Sequence, residues 1–455
     1  MLLSNSFTGE LRGIFGDALV TDPAECLAYG YDNSRRQAQP HAVVFPTEHA
    51  QVAALVRACR APRISLVARG RGTNTTGATV PVDGGVVVSL ERMNRIVKID
   101  ADNRLAIVEP GVLNGDLQAA LGAHGFFWPP DPTSSPYCTI GGNLACNAAG
   151  PRAVKYGSCR ENTLGLHAVT GAGEEFRCGV NTTKGAVGYD LTRLLIGAEG
   201  TLAIITEATL KLTPKPAAKA TLSASYADVV AATAAVARIM AQPVVPCALE
   251  FMDDAALHLA RAHAGEAIPN AGALLIVEAD GDAADLPRAV EALCAAARGA
   301  GLLDIRTAKN TSEAETLWAA RRALSPALRT ISPDKINEDV VVPVSRLPEL
   351  IARLREIAAK YSIPIVNFGH AGNGNIHVNL LPRDAAEHAR AEAALPEVFR
   401  SVIALGGTLS GEHGIGLAKR DYLVDALDPN ALALMRRIKA QFDPDGILNP
   451  GKLLP

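Results

Sequence analysis

The sequence lacks the paired cysteines that mark zinc modules and disulfide frameworks. Its eight cysteines are scattered along 455 residues, and no two of them stand in a C-x-x-C or zinc-finger spacing. We interpret them as mostly buried thiols of a protein from a reducing compartment, which predicts a cytoplasmic location.

Long apolar runs and blocks of like charge are missing as well. No stretch approaches the roughly 18 apolar residues of a membrane-spanning helix, and the start MLLSNSFTGELRGIFG has neither the basic region nor the apolar core of a signal peptide. No run of lysine and arginine accompanies the formal net charge of -3, which argues against a nucleic-acid partner. We expect no integral membrane segment, and a peripheral position at the inner membrane stays open.

The length and the strand and helix patterns predict several domains of mixed α and β structure. A single domain usually has about 100–200 residues. Residues 41–130 contain short strand patterns broken by helices, without the regular βαβ order of a Rossmann domain. Pro214-Lys215-Pro216 indicates a boundary, and from 221 to 308 strands alternate with alanine-rich helices. Further helices are predicted at 347–361 and 385–405.

Two glycine-rich loops carry hydroxyl groups suited to binding a phosphate. ISLVARGRGTNTTGA (64–78) is neither a Walker A loop nor a G-x-G-x-x-G loop, because Thr75 stands where the third glycine is required. The loop at 128–166 joins a proline-rich turn to hydroxyls and to Gly141-Gly142-Asn143, where a backbone can approach a flat ligand closely. Either loop alone has a plain turn as its alternative, but two of them beside strands predict an extended dinucleotide.

Two histidines and three glycines lie close together in NFGHAGNGNIHVNLL (367–381). The run IHVNLL has the period of a strand, so His377 and Asn379 lie on one face of it. The glycines allow His370 to fold back beside His377, although buried structural histidines are commoner than metal ligands.

A carboxylate and a third histidine occur together in TLSGEHGIGLAKRDYL (408–423). Glu412 and His413 lie between glycines, and the alternative interpretation is a solvated capping loop. With His370 and His377, Glu412 makes a His₂Glu set, which is the composition of a catalytic divalent-metal site with open positions.

A third segment, LLIGAEGTLAIITEATLKL (194–212), again brings glycines to the start of a strand. The three segments, in this order and spacing, resemble the flavin-binding domain of the vanillyl-alcohol oxidase superfamily. The similarity is to FAD-linked D-2-hydroxyacid dehydrogenases of the D-lactate, D-2-hydroxyglutarate and glycolate-oxidase-subunit types, and PPDPTSSPYCTIGGNLACNAAGPRAVKYG is its most specific piece. The resemblance implies an α+β fold in four parts. These are an N-terminal helical segment (1–37), a PCMH-type FAD-binding domain (38–216), a substrate or cap domain with an antiparallel sheet (217–407), and a C-terminal segment (408–455) that returns to the FAD domain.

The same resemblance implies the residues that bind FAD. They are Arg69, Gly70, Arg71, Gly72, Thr73, Asn74, Thr75, Pro132, Thr133, Ser134, Gly141, Gly142, Asn143, Asn147, Glu199, Gly200, Ile204 and Asn449. Relatives with covalent flavin commonly use a histidine in the first loop. Because that loop has neither histidine nor cysteine here, we expect FAD to be bound non-covalently.

The resemblance also implies a substrate site that faces the flavin. His370, His377 and Glu412 would hold a divalent metal, with zinc preferred and manganese or iron as alternatives, and His413 would be the catalytic base. Asn373 departs from the family, which often has Asp at this position.

Substrate-binding residues follow from the resemblance too. They are Arg321, Ser325, Lys335 and Asn379. Arg322 is the alternative to Arg321, and Asn337 is the alternative to Lys335. A solvated helix face is the other interpretation of these charges.

The predicted function is the oxidation of a D-2-hydroxy acid to the 2-oxo acid. The segment KINEDVVVP favours D-lactate, and D-2-hydroxyglutarate and glycolate are alternatives. Electrons would pass to an electron-transfer flavoprotein, a quinone or a cytochrome, and the candidate oligomer is a homodimer. Two other classes stay open: an oxidase that uses O₂, and an FAD-binding electron-transfer subunit that is inactive alone.

Overall fold

The structure is a computed structural model that describes residues 3–264 and 268–455. It contains two compact units. Unit 1 comprises the chain up to Ala149 together with Gly157–Lys215 and Glu412–Pro455, and unit 2 comprises Gly150–Tyr156 and Pro216–Gly411. No described helix has both the length and the apolar character needed to cross a bilayer.

The first sheet of unit 1 is buried on both faces. Its order is β1-β2-β4-β3, and only the β1–β2 pair is antiparallel. Val43, Val67 and Val87 pack into one apolar cluster, and the alternate residues Val44 and Val88 pack into another. The continuous valine runs therefore cover two cores at once. The strands are β1 (Leu19–Val20), β2 (Ala42–Val44), β3 (Leu66–Arg69) and β4 (Val86–Ser89).

The second sheet of unit 1 is antiparallel and lies over a separate core. Its order is β5-β6-β10-β8-β9, and a two-stranded ribbon pairs β7 with β11. Trp128 is fully buried in this core and donates its indole N–H to the Asn162 carbonyl at 2.9 Å. The strands are β5 (Ile96–Asp100), β6 (Leu105–Val108), β7 (Phe126–Phe127), β8 (Thr163–Thr170), β9 (Glu175–Gly179), β10 (Ala203–Lys211) and β11 (Thr213–Pro214).

Helices complete unit 1. In the first of them, Phe7, Leu11 and Phe15 recur at a spacing of four residues and bury one face. The third helix begins at His49, and just before it the Thr47 N–H donates to the Gln51 side chain. The helices are α1 (Asn5–Phe15), α2 (Pro23–Leu27), α3 (His49–Arg60), α4 (Asn114–Gly122), α5 (Ile140–Cys146), α7 (Leu191–Leu195), α14 (Leu423–Ala426) and α15 (Pro429–Phe442).

The C-terminal tail returns to β3. The Leu66 N–H donates to the Ile447 carbonyl, and the Asn449 N–H donates to the Leu66 carbonyl, each at 2.7 Å. Ile447 and Leu448 are buried in the core beside the first sheet. The predicted return of the tail to the domain with the glycine loops is confirmed.

Unit 2 is built on a seven-stranded antiparallel sheet. Its order is β15-β12-β14-β13-β17-β18-β16. The sheet places β13, β17 and β18 side by side, with β16 as the edge strand next to β18. The strands are β12 (Ala218–Tyr226), β13 (Ala248–Asp253), β14 (Ala273–Gly281), β15 (Leu302–Thr307), β16 (Ile336–Val341), β17 (Ile365–Gly369) and β18 (Asn375–Leu380).

The helices of unit 2 follow the predicted patterns closely. The helix predicted at 347–361 has those bounds, and the one predicted at 385–405 ends one residue earlier. Tyr156 anchors the short segment Gly150–Tyr156 by donating its hydroxyl to Asp280 Oδ2 at 2.7 Å. The helices are α6 (Ala153–Tyr156), α8 (Val229–Ala241), α9 (Asp254–Ala264), α10 (Leu286–Ala297), α11 (Thr311–Ile331), α12 (Leu347–Tyr361) and α13 (Ala385–Ala404).

Candidate active site

The two glycine loops of unit 1 lie against each other. The first follows β3, and a Cβ on Gly70 would collide with the Thr139 hydroxyl of the second. Asn74 Nδ2 lies 3.3 Å from Cys146 Sγ and also donates to the His413 carbonyl at 2.8 Å. The Asn33 N–H donates to the Asn74 carbonyl at 2.9 Å, so the N-terminal segment covers the first loop, a contact that no motif indicated.

The second loop becomes the start of α5. Thr139 caps this helix by accepting the Gly142 N–H at 3.2 Å. The Gly141 N–H donates to the Pro110 carbonyl at 2.8 Å, and a Cβ on Gly141 would lie 2.6 Å from Pro110 Cβ. The helix ends at Cys146, and the following residue, Asn147, is in the left-handed conformation with φ of 52°. Glycine is required at position 141 because the backbone there approaches Pro110 closely.

Glu199 joins three segments of unit 1. Its N–H donates to the Ala145 carbonyl at 2.9 Å, and its carboxylate accepts the N–H groups of Ile415 and Gly416 at 2.6 and 2.8 Å. Burial raises the pKa of Glu199 to about 7, against the lowering effect of those N–H groups and of two nearby lysines. Asn449 Nδ2 donates to the Glu199 carbonyl at 2.7 Å. The tail, α5 and the loop after His413 therefore meet at Glu199.

The side chains of the other FAD ligands predicted in the first loop and β10 differ in burial and in their contacts. Arg69 turns inward and donates to the Tyr31 carbonyl at 2.6 Å, and Arg71 is half-exposed beside Glu91. Ile204 is buried in the core. Gly72 and Gly200 have positive φ angles of 65° and 69°, which favour glycine.

The remaining predicted FAD ligands lie in the loops, except Asn143, which lies in α5. Asn143 is buried, Thr133 is exposed, and Pro132, Ser134 and Thr73 are partly exposed. The buried Thr75 hydroxyl has no hydrogen-bond partner among the described residues. An unsatisfied hydroxyl beside a glycine-lined backbone suits the phosphate oxygens of a dinucleotide.

The two histidines of unit 2 are brought together by a tight hairpin. His370 follows β17, the chain turns at Ala371–Asn373, and His377 lies in β18. Their Nε2 atoms are 3.5 Å apart, and both side chains are more than nine-tenths buried. The turn requires Gly374, which has φ of 73° and lies against the Val342 carbonyl. Asn373 is exposed on this turn.

Glu250 on β13 contacts one of these histidines and an arginine. Its Oε1 lies 2.5 Å from His370 Nδ1, and its Oε2 forms an ion pair with Arg321 Nη2 at 2.8 Å. Burial favours the neutral acid, but His370 and Arg321 outweigh it and lower the pKa of Glu250 to about 2. Sequence motifs did not indicate Glu250; the signal in the sequence is an acidic residue in the interior of the buried strand ALEFMD.

The two candidate arginines occupy different faces of α11. Arg321 is buried, with its guanidinium carbon 4.5 Å from the centre of the Phe368 ring. Its Nε has no hydrogen-bond partner within residues 3–264 and 268–455. Arg322 is half-exposed and pairs with Glu315 at 3.0 Å, while Ser325, one turn beyond Arg321, is partly exposed. Arg321 is therefore the arginine of this pair that lies at the buried carboxylate.

Lys335 lies against Asn379. Its Nζ donates to Asn379 Oδ1 at 2.7 Å, and burial, assisted by Arg329, lowers the pKa of Lys335 to about 8. Asn379 is fully buried, and its Nδ2 donates to the His377 carbonyl at 3.0 Å and the Val366 carbonyl at 3.3 Å. Asn337, the alternative to Lys335, is paired with Asn379 across β16 and β18.

The segment with Glu412 and His413 begins where unit 2 ends. In unit 2, the buried Asp339 accepts the Gly411 N–H at 2.9 Å, and Asp339 is paired with His377 across β16 and β18. In unit 1, Glu412 Oε1 lies 3.9 Å from His413 Nε2, and the His413 side chain is 23% exposed. Asp339 was not predicted as a site residue.

Comparison with known proteins assigns the family. A family model described as the C-terminal domain of FAD linked oxidases matches residues 215–453, and an FAD binding domain model matches residues 40–179. The chain belongs to the FAD-linked oxidases. The predicted family, the FAD cofactor and the class of FAD-linked oxidoreductase are thereby confirmed.

The sequences of individual relatives align with nearly the whole length of this enzyme. It is 41% identical to the glycolate oxidase subunit GlcD of Bacillus subtilis, over 94% of this chain and 92% of the relative. It is 34% identical to the D-lactate dehydrogenase of Anaerostipes hadrus, over 97% of this chain and 94% of the relative. A solved structure of p-cresol methylhydroxylase has a TM-score of 0.81 at 18% identity, covering 98% of this chain and 96% of that one. This likeness in fold, together with the match to the FAD binding domain model, confirms the predicted α+β fold with a PCMH-type FAD-binding domain.

Substituting Gly141 tests the close approach of the second loop. We expect Gly141→Ala to push α5 away from Pro110 and weaken FAD binding, since overpacking costs about 1–3 kcal/mol. The measurement is the FAD retained per chain after gel filtration, with the dissociation constant from flavin fluorescence. Gly9→Ala, where a Cβ meets nothing within 4 Å, is the matched control. FAD retention in Gly141→Ala equal to that of the control would contradict the account.

Proposed function

We propose that the enzyme oxidises a D-2-hydroxy acid, most favourably D-lactate, to the 2-oxo acid. Two relatives are named for glycolate and D-lactate, which are both 2-hydroxy acids. FAD would be bound non-covalently, because the first loop contains neither histidine nor cysteine. D-2-hydroxyglutarate and glycolate are the alternative substrates.

The observation that carries this proposal is the pair of histidines held by a buried carboxylate. Glu250 bonds His370 Nδ1, which directs His370 Nε2 toward His377. A ligating histidine in a metal site usually donates its other ring N–H to such a carboxylate. A buried pair of imidazoles of this kind supports a metal centre better than a structural contact.

Glu412 is the proposed third ligand. It directly follows Gly411, whose N–H donates to Asp339, the residue paired with His377 across β16 and β18. His370, His377 and Glu412 each offer one ligand atom, and the His₂Glu set suits zinc, with manganese or iron as alternatives.

The side chains divide the proposed reaction among them. Arg321 would bind the substrate carboxylate, with Lys335 as a second positive charge, and so orient C2 of the substrate. His413 would take the proton of the substrate hydroxyl on a ring nitrogen. A bound divalent ion supplies Lewis acidity, which lowers the pKa of that hydroxyl. Bound FAD supplies an acceptor, N5, for the C2 hydride.

A second candidate function is an FAD-binding electron-transfer subunit that is inactive alone. The name of the Bacillus subtilis relative, a glycolate oxidase subunit, favours considering it. Against it stands the presence in one chain of a full set of candidate ligands, cations and base. For the main proposal, the electron acceptor would be an electron-transfer flavoprotein, a quinone or a cytochrome.

Anaerobic mixing with a panel of D- and L-2-hydroxy acids tests the proposal. We expect D-acids to bleach the flavin and L-acids to leave it oxidised. His413→Ala should retain the FAD spectrum but slow bleaching about 10²–10⁴-fold, the range for a general base. His124→Ala removes an exposed histidine and should match the wild type. Near-normal bleaching in His413→Ala would remove that residue as the base, and no bleaching by any acid would favour the electron-transfer subunit.

Lys335 gives the proposed site a dependence on pH. Because its folded-state pKa is lowered to about 8, the ammonium is present below that pH and lost above it. We expect kcat/KM to fall as the pH rises through about 8, and Lys335→Arg to abolish this fall. Lys335→Met should raise KM about tenfold or more at pH 7, since hydrogen bonds to charged groups contribute roughly 1.5–3 kcal/mol. An unchanged pH profile in Lys335→Met would exclude Lys335 from substrate binding.

A further inference from the structure

We propose that Glu250 is a counter-ion shared between the metal-binding and carboxylate-binding halves of the site, so that an ion on His370 strengthens anion binding by Arg321. This inference rests on the proposed function, since it takes His370 as a metal ligand and Arg321 as the carboxylate-binding residue. Glu250 is a positioning residue in this scheme, because it acts through its two neighbours.

The geometry makes Glu250 common to both neighbours. One carboxylate oxygen lies 2.5 Å from His370 Nδ1, and the other lies 2.8 Å from Arg321 Nη2. The Glu250 side chain is 1% exposed, so water cannot replace either contact. A buried carboxylate that loses one cationic partner depends more strongly on the other.

His370 and Arg321, the two neighbours of Glu250, each have a second nitrogen that does not contact Glu250. His370 presents Nε2 toward His377, on the side of the ring opposite Glu250. Arg321 stacks on Phe368, and its buried Nε has no hydrogen-bond partner in the described part of the chain. The guanidinium therefore retains a donor for a ligand while its charge is partly neutralised by Glu250.

Because Glu250 shares its charge between His370 and Arg321, a cation on His370 should strengthen anion binding by Arg321. A cation on His370 Nε2 makes the Nδ1 proton more acidic and draws the Glu250 charge toward the imidazole. Less of that charge then opposes the attraction between Arg321 and an incoming carboxylate. Thermodynamic reciprocity requires that an anion on Arg321 strengthen metal binding by the same factor.

Two binding measurements on metal-free protein test the proposal, each with a single ligand present. We expect Glu250→Gln to bind Zn²⁺ about 10–100-fold more weakly than the wild type, the usual loss for an outer-shell partner. The same variant should bind oxalate, a carboxylate that cannot donate a hydride, about fivefold more tightly, in the range of typical coupling. A merely structural role would weaken both.

A second variant and a matched control keep the test independent of one substitution. Arg321→Met should lose oxalate binding and bind Zn²⁺ about fivefold more tightly, because Glu250 then serves His370 alone. Glu278→Gln removes another buried carboxylate of the same sheet, one that accepts from Trp318 and Thr221 at 3.0 and 3.1 Å. Both affinities should stay within about twofold of the wild type in this control.

The outcomes separate this inference from the proposed function. Oxalate binding that weakens or stays constant in Glu250→Gln, or Zn²⁺ binding that does not tighten in Arg321→Met, would overturn the shared counter-ion while wild-type Zn²⁺ binding still supports the metal site. Failure of the wild type to bind Zn²⁺, Mn²⁺ or Fe²⁺ would overturn the metal site and this inference with it.

Discussion

The close backbone approach in the hairpin between β17 and β18 is the constraint on which the proposed metal-binding half of the site depends. A Cβ at Gly369 would lie 2.5 Å from the Asn375 carbonyl, and Gly374 lies against the Val342 carbonyl with φ of 73°. Only glycine meets both requirements without displacing a backbone. Because the turn is this tight, His370 and His377 are held with their Nε2 atoms 3.5 Å apart.

Buried carboxylates then fix what the hairpin brings together. Within unit 2, Glu250 holds His370, and Asp339 holds Gly411 opposite His377. Within unit 1, Glu199 accepts the N–H groups of Ile415 and Gly416. Each of these acids is at least nine-tenths buried, and each is stabilised by N–H donors or cations. Glu412 and His413 therefore lie between two anchored points of the chain. Gly411 is held within unit 2, and Ile415 and Gly416 are held within unit 1.

The sequence predicted the features that depend on local pattern. The period of IHVNLL predicted β18, and the apolar spacing of LPELIARLREIAAKY predicted α12 at its observed bounds. The glycines of NFGHAGNGN indicated that His370 can approach His377, because glycine readily adopts positive φ angles and permits close backbone contacts.

Features that depend on distant partners were not readable in the same way. Glu250 lies 120 positions from His370, and nothing in ALEFMD says which histidine it meets. Arg69 was predicted among the FAD-binding residues from its loop alone, and the sequence did not indicate that its guanidinium bonds the Tyr31 carbonyl of the N-terminal segment. Asn379 shares a face with His377 as predicted, yet all of its polar atoms bond within unit 2. Tertiary contacts of this kind depend on which strands lie next to each other in the fold, and local sequence patterns do not contain that information.

The central claim is that His370, His377 and Glu412 hold a divalent ion on which substrate oxidation depends. The most direct measurement is the rate of anaerobic flavin reduction by the preferred D-2-hydroxy acid in protein shown to be free of metal, before and after one equivalent of Zn²⁺, Mn²⁺ or Fe²⁺ is restored. The account predicts that reduction is at least about 100-fold slower without metal, since Lewis-acid stabilisation contributes several kcal/mol, and that one of these ions restores it. Flavin reduction at an unchanged rate in the metal-free protein would contradict the account.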